Sequence, residues 1–160
     1  MHVGIGHDTH RLTEGRPLIL GGVHVEHARG LVGHSDADVV LHAITDALLG
    51  AAGLGDIGDA FPDSDPAYHD ADSRLFLEAT IKRLNQGGWH VVNVDVIIFA
   101  QEPQLGPVKG RIRQRLAELL DLPNDAVNVK AKTGEKVGHI GRAEAIGCQA
   151  AVLIDRRLTP

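Results

Sequence analysis

The chain has 160 residues, of which 43% are apolar, so we expect one compact domain over residues 1–160 and not a disordered chain. Its net charge of −5 without a Lys/Arg block argues against a nucleic-acid partner. No apolar run approaches the roughly 20 residues of a membrane span, which argues against a membrane protein. The start lacks a signal-peptide layout, and the single cysteine, Cys148, forms no internal disulfide, so we expect a cytoplasmic protein.

The first half of the chain predicts strands followed by a helix. Residues 2–9 (HVGIGHDT) are apolar and glycine-punctuated, which predicts a strand, and two short apolar runs around Gly21 and Gly22 predict a hairpin. From Asp38 to about Gly53, apolar and small residues recur with helical spacing, which predicts a closely packed helix. The stretch that follows, GLGDIGDAFPDSDP, is rich in Gly, Asp and Pro and predicts a loop.

The second half of the chain predicts two more helices and three more strands. Helices are predicted over 74–85 and from Pro107 to about 120, and strands over 89–100, 127–133 and 145–154. The order is therefore strand, hairpin, helix, helix, strand, helix, strand, strand. This order predicts an α+β fold in which helices cover one face of a mixed β-sheet. The other face must also be covered or expose apolar surface, which favours oligomerisation.

Asp8, His10 and His42 are candidate metal ligands. Asp8 and His10 lie two residues apart on the predicted strand and so share a face, and His42 lies on the polar side of the first predicted helix. Two imidazoles and one carboxylate suit Zn²⁺ and leave one position open for a substrate. Because D-x-H is short and common, a solvent-facing polar cluster at a strand end is the favoured interpretation of these residues alone.

Polar residues also surround the start of that helix. Asp38, His42 and Asp46 are spaced i, i+4, i+8, so either aspartate could accept a hydrogen bond from His42 and orient it. Spacing alone favours a solvated polar stripe instead. Asp36 or Asp38 could cap the helix. The helix start could also attract a phosphate, but a simple N-cap at Ser35 or Asp36 is the favoured interpretation.

Residues 132–136 (KTGEK) combine a cation, a hydroxyl, a glycine and a carboxylate. They could hold a diphosphate, with Lys132 and Thr133 as donors and Glu135 binding Mg²⁺. The segment lacks the spacing of a Walker loop, so ATP hydrolysis is not indicated. A pentapeptide of this kind is more often a surface turn. Cys148 lies in an apolar strand, which predicts a buried and inert thiol.

Taken together, these segments resemble one family along essentially the whole chain. The residues that carry the resemblance are GIGHDTHR, GHSDADVVLHAITDALLGAAGLGDIGDAFPDSDP, DSR at 72–74, NVDVIIFAQEP and VNVKAKTGEKVGHIGRAEAI. The chain is similar to the cyclodiphosphate synthase family of the non-mevalonate pathway to isoprenoid precursors. The resemblance implies conversion of 4-diphosphocytidyl-2-C-methyl-D-erythritol 2-phosphate to 2-C-methyl-D-erythritol 2,4-cyclodiphosphate and CMP. It also implies a homotrimer whose active sites are shared between neighbouring subunits.

The resemblance also assigns roles to individual residues. It implies that Asp8, His10 and His42 hold a divalent cation, usually zinc, and that Glu135 holds a second one, Mg²⁺ or Mn²⁺, together with the substrate. It implies that His34 and Thr133 stabilise the transition state. The residues that it implies in substrate binding are Asp8, Thr9, His10, His34, Ser35, Asp56, Ile57, Gly58, Phe61, Pro62, Asp63, Ser64, Asp65, Ala100, Gln101, Glu102, Pro103, Gln104, Leu105, Gly106, Lys132, Thr133, Gly134, Glu135, His139 and Arg142.

The chain departs from the family pattern at a few positions. His7 and His139 stand where phenylalanine is frequent, in a cavity on the trimer axis for which isoprenoid diphosphates have been proposed as ligands. Two histidines make that cavity more polar, which disfavours isoprenoid binding here. Gln104 stands where a lysine is frequent and Lys132 where a threonine is frequent, so the lysine has moved across the cytidine pocket. A metal-dependent phosphohydrolase and a non-catalytic trimeric binding protein are the alternative functions.

Overall fold

The computed structural model describes residues 1–62 and 64–156. The strands are β1 (His2–Glu14), β2 (Leu18–Leu20), β3 (Val23–Val25), β4 (Arg29–Leu31), β5 (Trp89–Phe99), β6 (Val127–Lys132) and β7 (Ala145–Arg156). The α-helices are α1 (Val39–Ala52), α2 (Ile57–Ala60), α3 (Arg74–Gln86), α4 (Lys109–Leu120) and α5 (Gly138–Gly141). Two 3₁₀ turns lie at Pro66–Tyr68 and Asn124–Ala126.

Five strands form one mixed sheet in the order β4-β1-β7-β5-β6, and β2 pairs with β3 in a separate hairpin. Only β5 and β6 are parallel neighbours, and the other pairs are antiparallel. The predicted α+β class, the mixed sheet and the hairpin are confirmed. Strand β4 and the short helices α2 and α5 were not predicted, because segments of three or four residues are too short to show a periodic pattern.

Helix α1 packs against β1 and β7 so closely that β1 carries glycine at the contact. A Cβ atom on Gly4 would lie 1.9 Å from the carbonyl oxygen of Ala47, and one on Gly6 would lie 2.0 Å from that of Ala43. Small residues on both elements therefore let the helix backbone rest on the strand, as the small residues of the helix predicted. This contact fixes the position of α1 relative to β1.

The N-cap of α1 is Asp38, one of the two aspartates suggested for it, and the favoured prediction of a cap at Ser35 or Asp36 is wrong. One carboxylate oxygen of Asp38 accepts hydrogen bonds from the backbone N–H groups of Val40 and Leu41 at 3.0 and 3.2 Å. The same carboxylate accepts from the backbone of the β2–β3 hairpin, at 2.8 and 2.7 Å. Burial raises the pKa of Asp38 to about 6, although these backbone hydrogen bonds act to lower it. Asp38 thus joins the hairpin to the helix.

The sheet face away from α1 carries exposed apolar side chains. Val3 and Ile5 of β1 are 69% and 66% exposed. Strand alternation points both to the side opposite Gly4 and Gly6. Helices therefore cover one face, as predicted, and the other face exposes apolar surface. In the described residues, no helix is long and apolar enough to cross a bilayer.

Candidate active site

The structure brings Asp8, His10 and His42 together where the end of β1 meets α1. Asp8 Oδ2 lies 2.9 Å from His10 Nε2 and 2.9 Å from His42 Nδ1, and the two imidazole nitrogens are 3.3 Å apart. Among the described residues, these three form the one group of His, Cys, Asp or Glu side chains close enough to share a metal ion. Strand alternation supplies two of the ligands and the helix supplies the third.

The protonation of the three side chains suits cation binding. Burial raises the pKa of the Asp8 carboxyl, but hydrogen bonds and charge from His10 and His42 outweigh it and hold that pKa well below its ordinary value. Asp8 is therefore ionised at neutral pH. His10 Nδ1 lies 2.6 Å from the carbonyl oxygen of Val32, which only accepts, so His10 carries a proton there. A cation can then bind Nε2 by displacing the proton that this nitrogen shares with Asp8.

The spacing of these atoms fits a tetrahedral ion. Zinc binds imidazole nitrogen and carboxylate oxygen at about 2.0–2.2 Å, so tetrahedral ligand atoms lie roughly 3.3 Å from one another. The separations of 2.9–3.3 Å seen here are close to that value. Three protein ligands leave a fourth position for a substrate oxygen. The same set of ligands accepts other divalent transition metals, so it identifies a class of ion and not one element.

A cleft of about 210 Å³ opens beside these ligands. Its lining contains predicted substrate contacts together with residues that were not predicted. The lining residues are Asp8, His10, Gly33, His34, Ser35, His42, Ile57, Gly58, Phe61, Tyr68 and Phe76. Phe61 packs on Phe76 with ring centroids 4.9 Å apart, and both rings contact Tyr68 edge-on. The cleft thus has an aromatic wall that adjoins the metal ligands, since the ring centroids of Phe76 and His42 are 6.0 Å apart.

Residues 56–62 and 64–70 contain other predicted contacts and contribute part of the cleft lining. Asp56 caps α2 by accepting from Asp59 N–H at 2.8 Å, and Asp65 caps the following 3₁₀ turn by accepting from Ala67 N–H at 2.9 Å. The Asp70 N–H donates to the carbonyl oxygen of His34 at 2.6 Å and ties the segment to the cleft. The described side chains predicted here that lie outside the cleft lining are those of Asp56, Pro62, Ser64 and Asp65, which are exposed. Asp63 lies outside the described residues.

The residues predicted for the nucleotide lie apart from this cleft. In the sheet, Thr9 pairs with Gly147, Gly147 with Phe99, and Phe99 with Lys132. The start of segment 132–135 is therefore three strand spacings, about 14 Å, from β1 at the same end of the sheet. None of residues 100–106 or 132–135 lines the cleft.

The two nucleotide segments do contact each other. The Lys136 N–H donates to Gln101 Oε1 at 3.3 Å, and the Thr133 hydroxyl donates to Glu135 Oε1 at 2.7 Å. Glu135 has φ of 49°, in the left-handed region that non-glycine residues rarely adopt. A strained backbone at a polar loop is typical of ligand-binding segments.

Three further predicted residues also lie outside the cleft. Thr9 is on the open sheet face, where its hydroxyl lies 3.1 Å from His7 Nε2. His139 is exposed on α5. The exposed guanidinium of Arg142 donates from two nitrogens to the Glu144 carboxylate, at 2.8 and 3.0 Å.

The partners of His42 were not identified from the sequence. Asp38 serves as the helix cap and Asp46 accepts from the Ile57 N–H at 3.2 Å, so neither orients His42 and the suggestion of such a role is wrong. His42 Nε2 instead lies 2.8 Å from Ser73 Oγ and 3.2 Å from Ser35 Oγ. Ser73 is 31 residues away in the chain, and no spacing rule connects positions so far apart.

Comparison with known proteins extends the likeness over the whole chain. The model of the YgbB family matches residues 1–155. The 2-C-methyl-D-erythritol 2,4-cyclodiphosphate synthase of Bordetella pertussis is 55% identical over 154 residues, which cover 96% of this chain and 95% of that protein.

Two solved structures are similar to this fold. The bifunctional IspDF of Campylobacter jejuni is 40% identical to this chain, with a TM-score of 0.93. The match covers 98% of this chain and 42% of that protein, so this chain spans less than half of it. The CDP complex of Plasmodium falciparum IspF is 32% identical with a TM-score of 0.86, over 98% of this chain and 97% of that one.

Proposed function

This chain belongs to the YgbB family, and from that membership we propose that it is a cyclising, CMP-releasing phosphorus–oxygen lyase of isoprenoid-precursor synthesis. It converts 4-diphosphocytidyl-2-C-methyl-D-erythritol 2-phosphate to 2-C-methyl-D-erythritol 2,4-cyclodiphosphate and CMP. The observation that carries the proposal is the convergence of Asp8, His10 and His42 at a cleft in a chain 55% identical to a synthase of that name. The lone thiol, Cys148, is buried and unpaired, which is compatible with the cytoplasm as its compartment.

The reaction requires one anionic group to approach another. An oxygen of the 2-phosphate forms a bond to the β-phosphorus, and the bond from that phosphorus to the CMP oxygen breaks, so CMP leaves with the electron pair. Because the nucleophile is already an anion, no general base is needed, and the ionised Asp8 is not required as an acid. Asp8, His10 and His42 would hold one divalent cation and Glu135 a second, and such cations would supply positive charge that polarises phosphorus and reduces the repulsion.

The protein's own residues fold the substrate back on itself, which is an effect of orientation. The imidazole of His34, on the cleft wall, donates to phosphate oxygens as charge develops, and the exposed Thr133 hydroxyl does so from the nucleotide side. Residues 56–58 and 61–65 hold the methylerythritol, for which the aromatic wall of the cleft is a suitable apolar contact. Residues 100–106 and 132–135 hold the cytidine diphosphate. That a relative 32% identical to this chain was solved in complex with CDP supports binding of this moiety.

The complete site is shared between copies of the chain in a homotrimer. A cleft of about 210 Å³ is smaller than the roughly 300 Å³ at which ligand pockets usually begin, which supports a site completed by another copy of the chain. Within one chain the two halves are about 14 Å apart, whereas a neighbouring copy can bring its nucleotide loops to this cleft. The exposed apolar side chains of Val3 and Ile5 supply a surface for that contact.

Phosphorus NMR of the reaction products tests this function directly. Purified protein with the diphosphocytidyl substrate, Zn²⁺ and Mg²⁺ should give CMP and the two coupled phosphorus signals of a cyclic diphosphate. His42→Ala should abolish both products. His24→Ala, which alters an exposed histidine of the β2–β3 hairpin, is the matched control and should retain wild-type turnover. Linear phosphate products would indicate a phosphohydrolase instead, and no turnover by the wild type would leave a binding protein.

A further inference from the structure

Beyond the ligands themselves, the geometry points to a positioning role for two residues that hold His42 in place. We propose that Ser73 and Asp36 fix the orientation and tautomer of the His42 imidazole and thereby set the cation affinity of the Asp8/His10/His42 site. The inference rests on the proposed metal site and adds residues outside it. It is carried by the direction of three successive hydrogen-bonding groups and by their burial.

The direction of the hydrogen bonds follows from the carboxylate at one end. The Ser73 hydroxyl donates to Asp36 Oδ1, and the Ser73 N–H donates to Asp36 Oδ2 at 3.3 Å. With its only proton given to Asp36, the Ser73 oxygen can only accept. Its nearest other neighbour is His42 Nε2 at 2.8 Å, and Ser35 Oγ is farther away at 3.4 Å. His42 therefore carries a proton on Nε2. Nδ1, which lies 2.9 Å from Asp8, is then the nitrogen at which a cation can take the place of a proton.

Burial makes this arrangement specific. Ser73 is fully buried, and the side chain of His42 is 12% exposed, so water cannot readily replace the serine hydroxyl. Asp36 is fixed in turn, because its Oδ1 also accepts from the Asp38 N–H at 3.2 Å. Ser35, the second neighbour of His42 Nε2, is farther away and already accepts from the Ala37 N–H at 3.0 Å.

A second observation separates this role from ordinary helix capping. Ser73 occupies the N-cap position of α3, where a serine side chain usually accepts from the first turn of its own helix. Here the side chain makes no capping hydrogen bond, and the residue has helical dihedral angles. The hydroxyl is directed away from α3 and toward the metal ligand. His10 differs in that its Nδ1 lies 2.6 Å from a backbone carbonyl, that of Val32.

The test measures cation affinity, which does not require turnover. Zn²⁺ competition against a chromophoric chelator, and the visible absorption of bound Co²⁺, would be measured on apo protein for the wild type and for Ser73→Ala. Loss of an orienting partner typically weakens metal binding by about 10- to 100-fold, and we expect Ser73→Ala to fall in that range. Asp36→Asn should weaken binding in the same direction, because its neutral amide no longer forces the Ser73 proton toward it.

Thr80→Val is the matched control. Thr80 is another fully buried hydroxyl on α3, and its oxygen has no hydrogen-bond partner within residues 1–62 and 64–156, so the change should leave cation affinity within about twofold. Ser73→Thr keeps the hydroxyl and should retain more affinity than Ser73→Ala. Saturating Zn²⁺ should restore the kcat of Ser73→Ala with little change in the substrate KM, which a general loss of folding would not allow.

Two results would overturn the inference, and they differ in meaning. Wild-type affinity in both Ser73→Ala and Asp36→Asn would refute the positioning role and leave the metal site intact. A wild type that binds neither Zn²⁺ nor Co²⁺ would refute the metal site itself and this inference with it. If Ser73→Ala does not fold, Asp36→Asn still decides, because Asp36 is only partly buried.

Discussion

Replacing Gly6 with alanine changes the contact that sets the distance between β1 and α1. Gly6 lies two residues before Asp8 on the strand, and its nearest neighbour across the contact, Ala43, adjoins His42 on the helix. The new Cβ would lie 2.0 Å from Ala43 O and 2.7 Å from Ala47 N. Both are backbone atoms, so no side-chain rotation can relieve the overlap.

The size of the effect follows from these distances. Because Cβ atoms essentially never come within 3.0 Å of such neighbours, α1 must move from β1 by about 1 Å. Overpacking in a tight core typically lowers the free energy of unfolding by about 1–3 kcal/mol. Because the overlapping atoms here belong to the backbone, we expect a loss of about 3 kcal/mol in Gly6→Ala. Metal–ligand distances tolerate only about 0.2 Å, so the same shift should separate His42 from Asp8 and reduce cation affinity at least tenfold.

Urea unfolding at fixed protein concentration and Zn²⁺ competition measure the two effects in Gly6→Ala. The matched control is Gly50→Ala, an exposed position on the same helix where a Cβ would meet nothing within 4 Å. This control should stabilise the protein by up to about 1 kcal/mol through helix propensity and leave Zn²⁺ affinity unchanged. Wild-type stability and affinity in Gly6→Ala would refute the argument that a backbone contact sets the metal geometry.

Three further predictions concern charge, the thiol and assembly. Burial raises the pKa of Asp38 to about 6, so the folded state retains a proton that the unfolded state loses above about pH 4. Paired urea titrations measure the free energy of unfolding of the wild type minus that of Asp38→Asn. This difference should fall by about 2 kcal/mol between pH 4.5 and 7, and a difference that rises with pH would contradict the argument. Burial, reinforced by nearby carboxylates, raises the pKa of the Cys148 thiol well above its ordinary value, so a thiol reagent should label Cys148 only after unfolding. Ile5→Asp should convert a three-chain mass in light scattering to a single chain of 17.1 kDa, and an unchanged mass would show that this face is not the interface.

The elements of the fold were predictable where their signals are local. Glycines at 53 and at 87–88 mark the ends of α1 and α3, and the spacing of apolar residues locates both helices. Alternation along β1 places Asp8 and His10 on one face, a rule that needs only the period of a strand. Strand β4 was missed because its pairing with β1 joins residues far apart in the chain, and three residues carry no periodic signal.

The family, the three metal-ligand candidates and most of the helices and strands were thus determined by the sequence itself, through motifs and periodic patterns that act over a few residues. The tertiary structure alone decided what each polar residue near the site does. Asp38 caps α1 and binds the hairpin, and Ser73 contacts His42 although the two residues are 31 positions apart in the chain. The physical reason is that a hydrogen bond depends on where two groups lie in space. The packing of α1 on Gly4 and Gly6 sets where the α1 side chains lie, and no local sequence pattern encodes those contacts.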